Sequence, residues 1–134
     1  MMYSQMQYDE CANGNVVVSA YLQLSDEIAA DGGFCWDYSF RFENTSDTDI
    51  TLLSKRLSVI DSNGKIITSV DYQGFKGQLP QLVPGEDFED DGYITARSSA
   101  LLKGSCVIKI GDKIQNVDLP MFSLIANDNH AVLN

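Results

Sequence analysis

Hydrophobic and polar residues alternate with period two along most of this chain. Val16, Val18, Ala20, Leu22 and Leu24 fall on one face, and Val17, Ser19, Tyr21 and Gln23 on the other. The pattern sharpens over residues 34–43. Phe34, Trp36, Tyr38, Phe40 and Phe42 share a face, while Cys35, Asp37, Ser39, Arg41 and Glu43 share the opposite one. A helix with 3.6 residues per turn would scatter both sets around its axis, so the spacing predicts two half-buried strands. Between them, residues 25–33 carry Asp26, Glu27 and Asp31-Gly32-Gly33. This segment reads as a loop with at most one helical turn near residues 28–30.

Residues 44–49 form a polar turn cluster that leads into an apolar strand over 50–60. The apolar face of that strand changes phase between Leu52 and Leu53, which predicts a β-bulge. Asp61-Ser62-Asn63-Gly64 is a tight turn whose Asn-Gly pair supplies positive φ, and residues 65–70 return as the hairpin partner. Residues 72–84, with Gly74, Gly77, Pro80 and Pro84, read as a loop. Residues 88–96 read as a weaker strand interrupted by acids and Gly92. Residues 105–110 and 114–119 form a hairpin around Gly111-Asp112, Pro120 interrupts, and 122–125 continue. The final residues look like a frayed tail. Seven or eight short strands joined by turn signals predict an all-β, antiparallel sandwich. The whole of 1–134 is expected to be one domain, with an N-terminal arm at 1–13, the sandwich at 14–125 and a tail at 126–134.

With 134 residues the chain has room for one core. Lys+Arg 9 against Asp+Glu 19 gives a net charge of −10. That balance argues against phosphate backbones and anionic membranes as partners, so neither nucleic acid nor membrane is expected. No stretch reaches the roughly 18 apolar residues that a spanning helix needs. The opening MMYSQMQYDECANG has neither the basic nor the apolar region of a signal peptide. The cysteines, Cys11, Cys35 and Cys106, are odd in number. Together these features predict free thiols and a cytoplasmic location.

Nothing in the sequence assembles a catalytic constellation. His130, in the tail, is the only histidine, which leaves no Ser-His-Asp or Cys-His site and no zinc set. No enzyme, no catalytic residue, no metal site and no cofactor are therefore expected. Glu86, Asp87, Glu89, Asp90 and Asp91 form the densest acidic run. Alternation along a strand points their side chains apart, so weak binding of a hard divalent cation is the most they would offer. Tyr72-Gln73-Gly74-Phe75-Lys76-Gly77 is a G-x-G-x-x-G run with Tyr72 in the first glycine position. A phosphate cradle of that type needs a helix to follow. Here Gln78-Leu79-Pro80 follows, and the segment reads as a sheet-crossing loop whose glycines take positive φ. Gly74, Lys76 and Gly77, with Lys55 and Arg56 on the bulged strand, are the candidate ligand-binding residues.

In order along the chain stand Trp36-Asp37-Tyr38-Ser39-Phe40-Arg41-Phe42-Glu43-Asn44, Leu52-Leu53-Ser54-Lys55-Arg56 and Val59-Ile60-Asp61-Ser62-Asn63-Gly64. Then come Gly74-Phe75-Lys76-Gly77-Gln78-Leu79-Pro80, Pro84-Gly85-Glu86-Asp87-Phe88 and Val117-Asp118-Leu119-Pro120-Met121-Phe122-Ser123-Leu124. In this ordered set the chain resembles the ApaG family, whose domain also occurs in an F-box protein and in a polymerase-delta-interacting protein. It departs from the family pattern at Tyr72, where a glycine is usual, at Leu57, where an aromatic is usual, and at Ser98 and Ala100, which replace a proline and a glycine. The resemblance implies an immunoglobulin-like or fibronectin-III-like sandwich without established catalysis, used mainly for protein–protein interaction. The expected function is thus a non-enzymatic binding module with a protein partner, with a homo-oligomer left open. The alternatives are nucleotide or pyrophosphate binding at the glycine loop, which Tyr72 weakens, and weak divalent-cation binding linked to cobalt or magnesium homeostasis.

Overall fold

Alternating side chains demand a sheet with one face covered, and two such sheets can cover each other. In a computed structural model, which describes residues 6–125, the chain does this. The strands are β1 (Met6–Ala12), β2 (Val16–Ile28), β3 (Phe34–Asn44), β4 (Ile50–Ile60), β5 (Ile66–Gln73), β6 (Gln81–Leu82), β7 (Asp87–Ala96), β8 (Ala100–Ile110), β9 (Lys113–Asp118) and β10 (Phe122–Leu124). One sheet has the order β1-β2-β3-β7. The other has the order β10-β8-β4-β5, with β6 paired to β4 and β9 to β8. All pairings are antiparallel. Residue His130 and the expected tail at 126–134 lie outside the described residues.

The aromatic face of β3 supplies the centre of the core. Trp36, Tyr38, Phe40 and Phe42 are buried and Phe34 is partly buried against them. Val16, Val18, Ala20 and Leu22 of β2 lie beside them, and Ile50, Leu52, Leu57 and Val59 of β4 come from the opposite sheet. Phe75 enters from a loop, its ring edge-on to Phe42 at 5.2 Å. The expected bulge is present: the β4–β8 register steps from Leu52↔Ile108 to Ser54↔Val107 and passes over Leu53. The expected hairpin turn is present too, with Gly64 at φ 83° and the Asp61 carboxylate accepting from the amides of Asn63 and Lys65.

Several segments differ from the periodicity reading. Residues 6–12 pair with β2 from Met6↔Gln23 to Ala12↔Val17. As an edge strand exposed on most of its length, β1 shows no buried face for periodicity to reveal. Strand β2 continues to Ile28 through an irregularity after Leu24, so the expected loop at 25–33 begins as strand. Tyr72 and Gln73 belong to β5 rather than to a loop, and β8 begins at Ala100. Among the described residues, no helix is long and apolar enough to cross a membrane.

Candidate functional site

Strands β5 and β7 end their respective sheets, and the sandwich is open between them. Thr68, Val70 and Tyr72 of β5 face Asp90, Gly92 and Ile94 of β7 across a cleft of about 480 Å³, with Tyr38 and Lys55 at its floor.

The bulge explains why a lysine is there. Before it, Ile50 and Leu52 point inward; after it, Lys55, Leu57 and Val59 do. One extra residue has shifted the parity of the strand and turned Lys55 into the interior. A buried ammonium must be paired. Lys55 Nζ donates to the Asp90 carboxylate and to the Tyr38 hydroxyl, the latter at 3.2 Å. It also lies over aromatic faces, 4.6 Å from the Tyr72 centroid, 5.1 Å from Tyr38 and 5.8 Å from Phe75, where the ring quadrupole attracts a cation. The Lys55 and Asp90 side chains are 4% and 3% exposed, so this is an interior ion pair between the two sheets. Burial, aided by the Asp90 charge, pushes the Tyr38 phenol up to about 12. Burial likewise raises Tyr72. Gly92 packs directly on the Tyr38 ring, where a Cβ would collide with it. The glycine that weakens β7 in the sequence thus makes room for the aromatic floor.

Arg56 takes the other face. Its Nε donates to Asp71 Oδ1 at 2.5 Å and its Nη2 to Oδ2 at 3.2 Å, on the solvent side of the sheet. The hydrogen bond from Arg56 holds the Asp71 carboxyl below the usual carboxylate range. Lys55 and Arg56 therefore do not converge. Lys76 sits at φ 53° in the loop after β5, with Nζ 3.9 Å from Asp91 and 5.8 Å from the Phe88 ring centre. Gly74 and Gly77 take φ 78° and 76°. The Gly74 amide donates to the Leu53 carbonyl at 2.8 Å, and the Phe75 and Gln78 amides donate to each other's carbonyls at 2.7 and 2.9 Å. This tight turn drives Phe75 into the core. Of the five candidate residues, Gly74, Lys76 and Lys55 border the cleft; Gly77 and Arg56 do not.

The acidic run disperses as strand geometry requires. Glu86 accepts from the Val83 amide, Asp87 pairs with Arg41, Asp90 points inward and Asp91 faces Lys76. Among the described residues, no three His, Cys, Asp or Glu side chains are placed to hold one metal ion. All three cysteines are unpaired. Cys106 is buried, which pushes its thiol up to about 12.

Tyr38, Tyr72 and Asp90 were not singled out as site residues by their types. The available signal was parity. Once the phase switch is followed, Lys55 falls on an apolar face and needs an acid. Asp90 is the acid in the inward series Phe88, Asp90, Gly92, Ile94.

These features define a small two-sheet β-sandwich with one open side and an interior ion pair at the base of that opening. The chain belongs to the ApaG family: the ApaG domain matches residues 25–108. The chain is 32% identical over 109 residues to protein ApaG of Beijerinckia indica subsp. indica, covering 79% of this chain and 82% of that relative. It is 28% identical over 121 residues to protein ApaG of Allorhizobium ampelinum, covering 89% and 92%. The crystal structure of the putative ApaA protein from Bordetella pertussis has the same fold, with a TM-score of 0.74 and 20% identity over 90% of this chain and 95% of that one.

Proposed function

We propose that this ApaG-family chain is a non-enzymatic module that binds another protein through the open side between β5 and β7. The carrying observation is the state of the β5 edge. Sheet edges are normally guarded by charge, proline or cover. The β1 edge carries Asp9 and Glu10, and the β7 edge carries Asp87, Glu89 and Asp91. Strand β5 has no proline and no lysine, and its one charge, Asp71, is already neutralised by Arg56. Ile66 and Ile67 are exposed on it. An edge left in this condition beside a cleft suits a docking surface.

Lys55 and Asp90, the groups with chemistry to offer, are engaged with each other, which supports binding over catalysis. The glycine loop is the weaker site, because the amides of Gly74, Phe75 and Gln78 already have backbone partners. Three unpaired thiols suit a reducing cytoplasm as the place of action.

The test is photo-crosslinking in cells of origin. A photoreactive side chain at Ile67 is expected to capture a protein, and one at Tyr21, on the outer face of the other sheet, is not. Capture from Tyr21 alone would overturn the reading.

A further inference from the structure

We infer that the occupant of the open side is an extended, basic segment of a partner protein, which pairs with β5 as an additional strand. The inference rests on the open side being the docking surface, and it adds the partner's conformation and chemistry.

Conformation follows from the backbone. β5 pairs only with β4 among the described residues, so its other edge presents unmet amides and carbonyls that an extended segment matches. The β4–β5 register steps from Ile60↔Ile66 to Val59↔Thr68, which places a bulge at Ile67. Beyond it residues 68–73 run in regular register, giving a straight template about as long as an ordinary strand.

Chemistry follows from the cleft. A strand laid against β5 would send every second side chain inward, beside Thr68, Val70 and Ile94. The charges at the floor are already satisfied by each other, and no buried side-chain polar atom among the described residues lacks a hydrogen-bond partner. An inward charge would find no counterpart, so the inward side chains are apolar. Rim charge decides the outward ones. Glu89 and Asp91 are exposed along the β7 rim of the opening and the chain carries −10 overall, which draws in lysine and arginine and repels an acidic segment. The same repulsion works against a second copy of this chain.

The experiment uses the full chain and two short capped peptides, one alternating valine with lysine and one alternating valine with glutamate, followed by amide NMR at low salt. The basic peptide is expected to give saturable shifts at residues 66–73 and 90–95, with affinity at least about tenfold above that of the acidic one. Ile67→Lys, an exposed position, should abolish those shifts, and Asp91→Lys should narrow the gap between the peptides. Equal affinity for both peptides, or shifts elsewhere, would overturn the inference. Sedimentation showing a dimer that Ile67→Lys dissociates would overturn it in favour of a second copy. If neither peptide binds while Ile67 still crosslinks a protein in cells, the inference fails and the docking surface itself stands.

Discussion

Lys55 of β4 and Asp90 of β7 form a buried ion pair that joins one sheet to the other. Removing one member leaves the other as an uncompensated interior charge. Lys55→Met is expected to destabilise the fold by about 3–5 kcal/mol. Adding Asp90→Leu should recover most of that loss, because two apolar groups need no partner. Urea unfolding of the two singles and the double measures it. A double variant as unstable as the worse single would show that the pair is not the unit that matters.

Trp36 is 2% exposed in the aromatic face of β3. Trp36→Ala leaves a large cavity between the sheets and should cost about 3–5 kcal/mol. A loss well under half of that in chemical denaturation would place Trp36 outside the cooperative core.

Gly92 and Tyr38 compete for one volume. Gly92→Ala should cost about 1–3 kcal/mol through overpacking against the ring. Tyr38→Leu in the same chain should relieve most of the clash, read as non-additivity in thermal or denaturant unfolding. Additive losses would mean that the alanine strains the backbone instead.

Tyr38 gives the fold an alkaline limit. Its phenol is pushed up to about 12 from an ordinary value of 10.0, so the native state holds a proton that the unfolded chain releases first. The stabilisation from keeping it neutral is complete below the unfolded value and declines as pH rises through 10 toward 12. Tyrosinate absorbance should show a late-titrating component that Tyr38→Phe removes and that moves to the ordinary range on unfolding.

At the glycine loop, ATP or GTP is expected to produce no saturable amide shifts confined to residues 72–78. Gly77→Ala should cost about 1–2 kcal/mol from its left-handed backbone alone, since its Cβ would meet nothing. Localised, saturable shifts abolished by Lys76→Ala would instead make nucleotide binding the leading function.

Much of the fold was legible because burial on one face writes a period of two into β2 and β3, and because a bulge leaves a phase change at Leu52-Leu53. β1 was not legible: a strand on the rim, exposed on most of its length, buries no alternating set. The end of β2 was hidden by Ser25, Asp26 and Glu27, which break the alternation where the register with β3 is interrupted, and the Tyr72–Gln73 extension of β5 by the glycine that follows it. At the site, the sequence groups Lys55 with Arg56 as candidate ligand-binding cations on the bulged strand. Adjacent residues on a strand point to opposite sides, and only the inward parity after the bulge distinguishes the buried cation from the exposed one. Its partners lie on strands 17 and 35 positions away, which no local pattern connects.

The bulge at Leu53 also gives β4 one place where its length can change without turning its faces over. A chain lacking that single residue would run from Leu52 straight to Ser54 in unbroken alternation, with Ile50, Leu52, Lys55 and Leu57 still directed inward and Arg56 still out in water. The pairing with β8 already steps over Leu53, so that strand would need no shift, and the loss would fall on the Leu53 carbonyl that accepts from the Gly74 amide. A one-codon deletion between Lys55 and Ile60 would instead turn every residue beyond it to the opposite face, and would accordingly be far more damaging than the loss of Leu53.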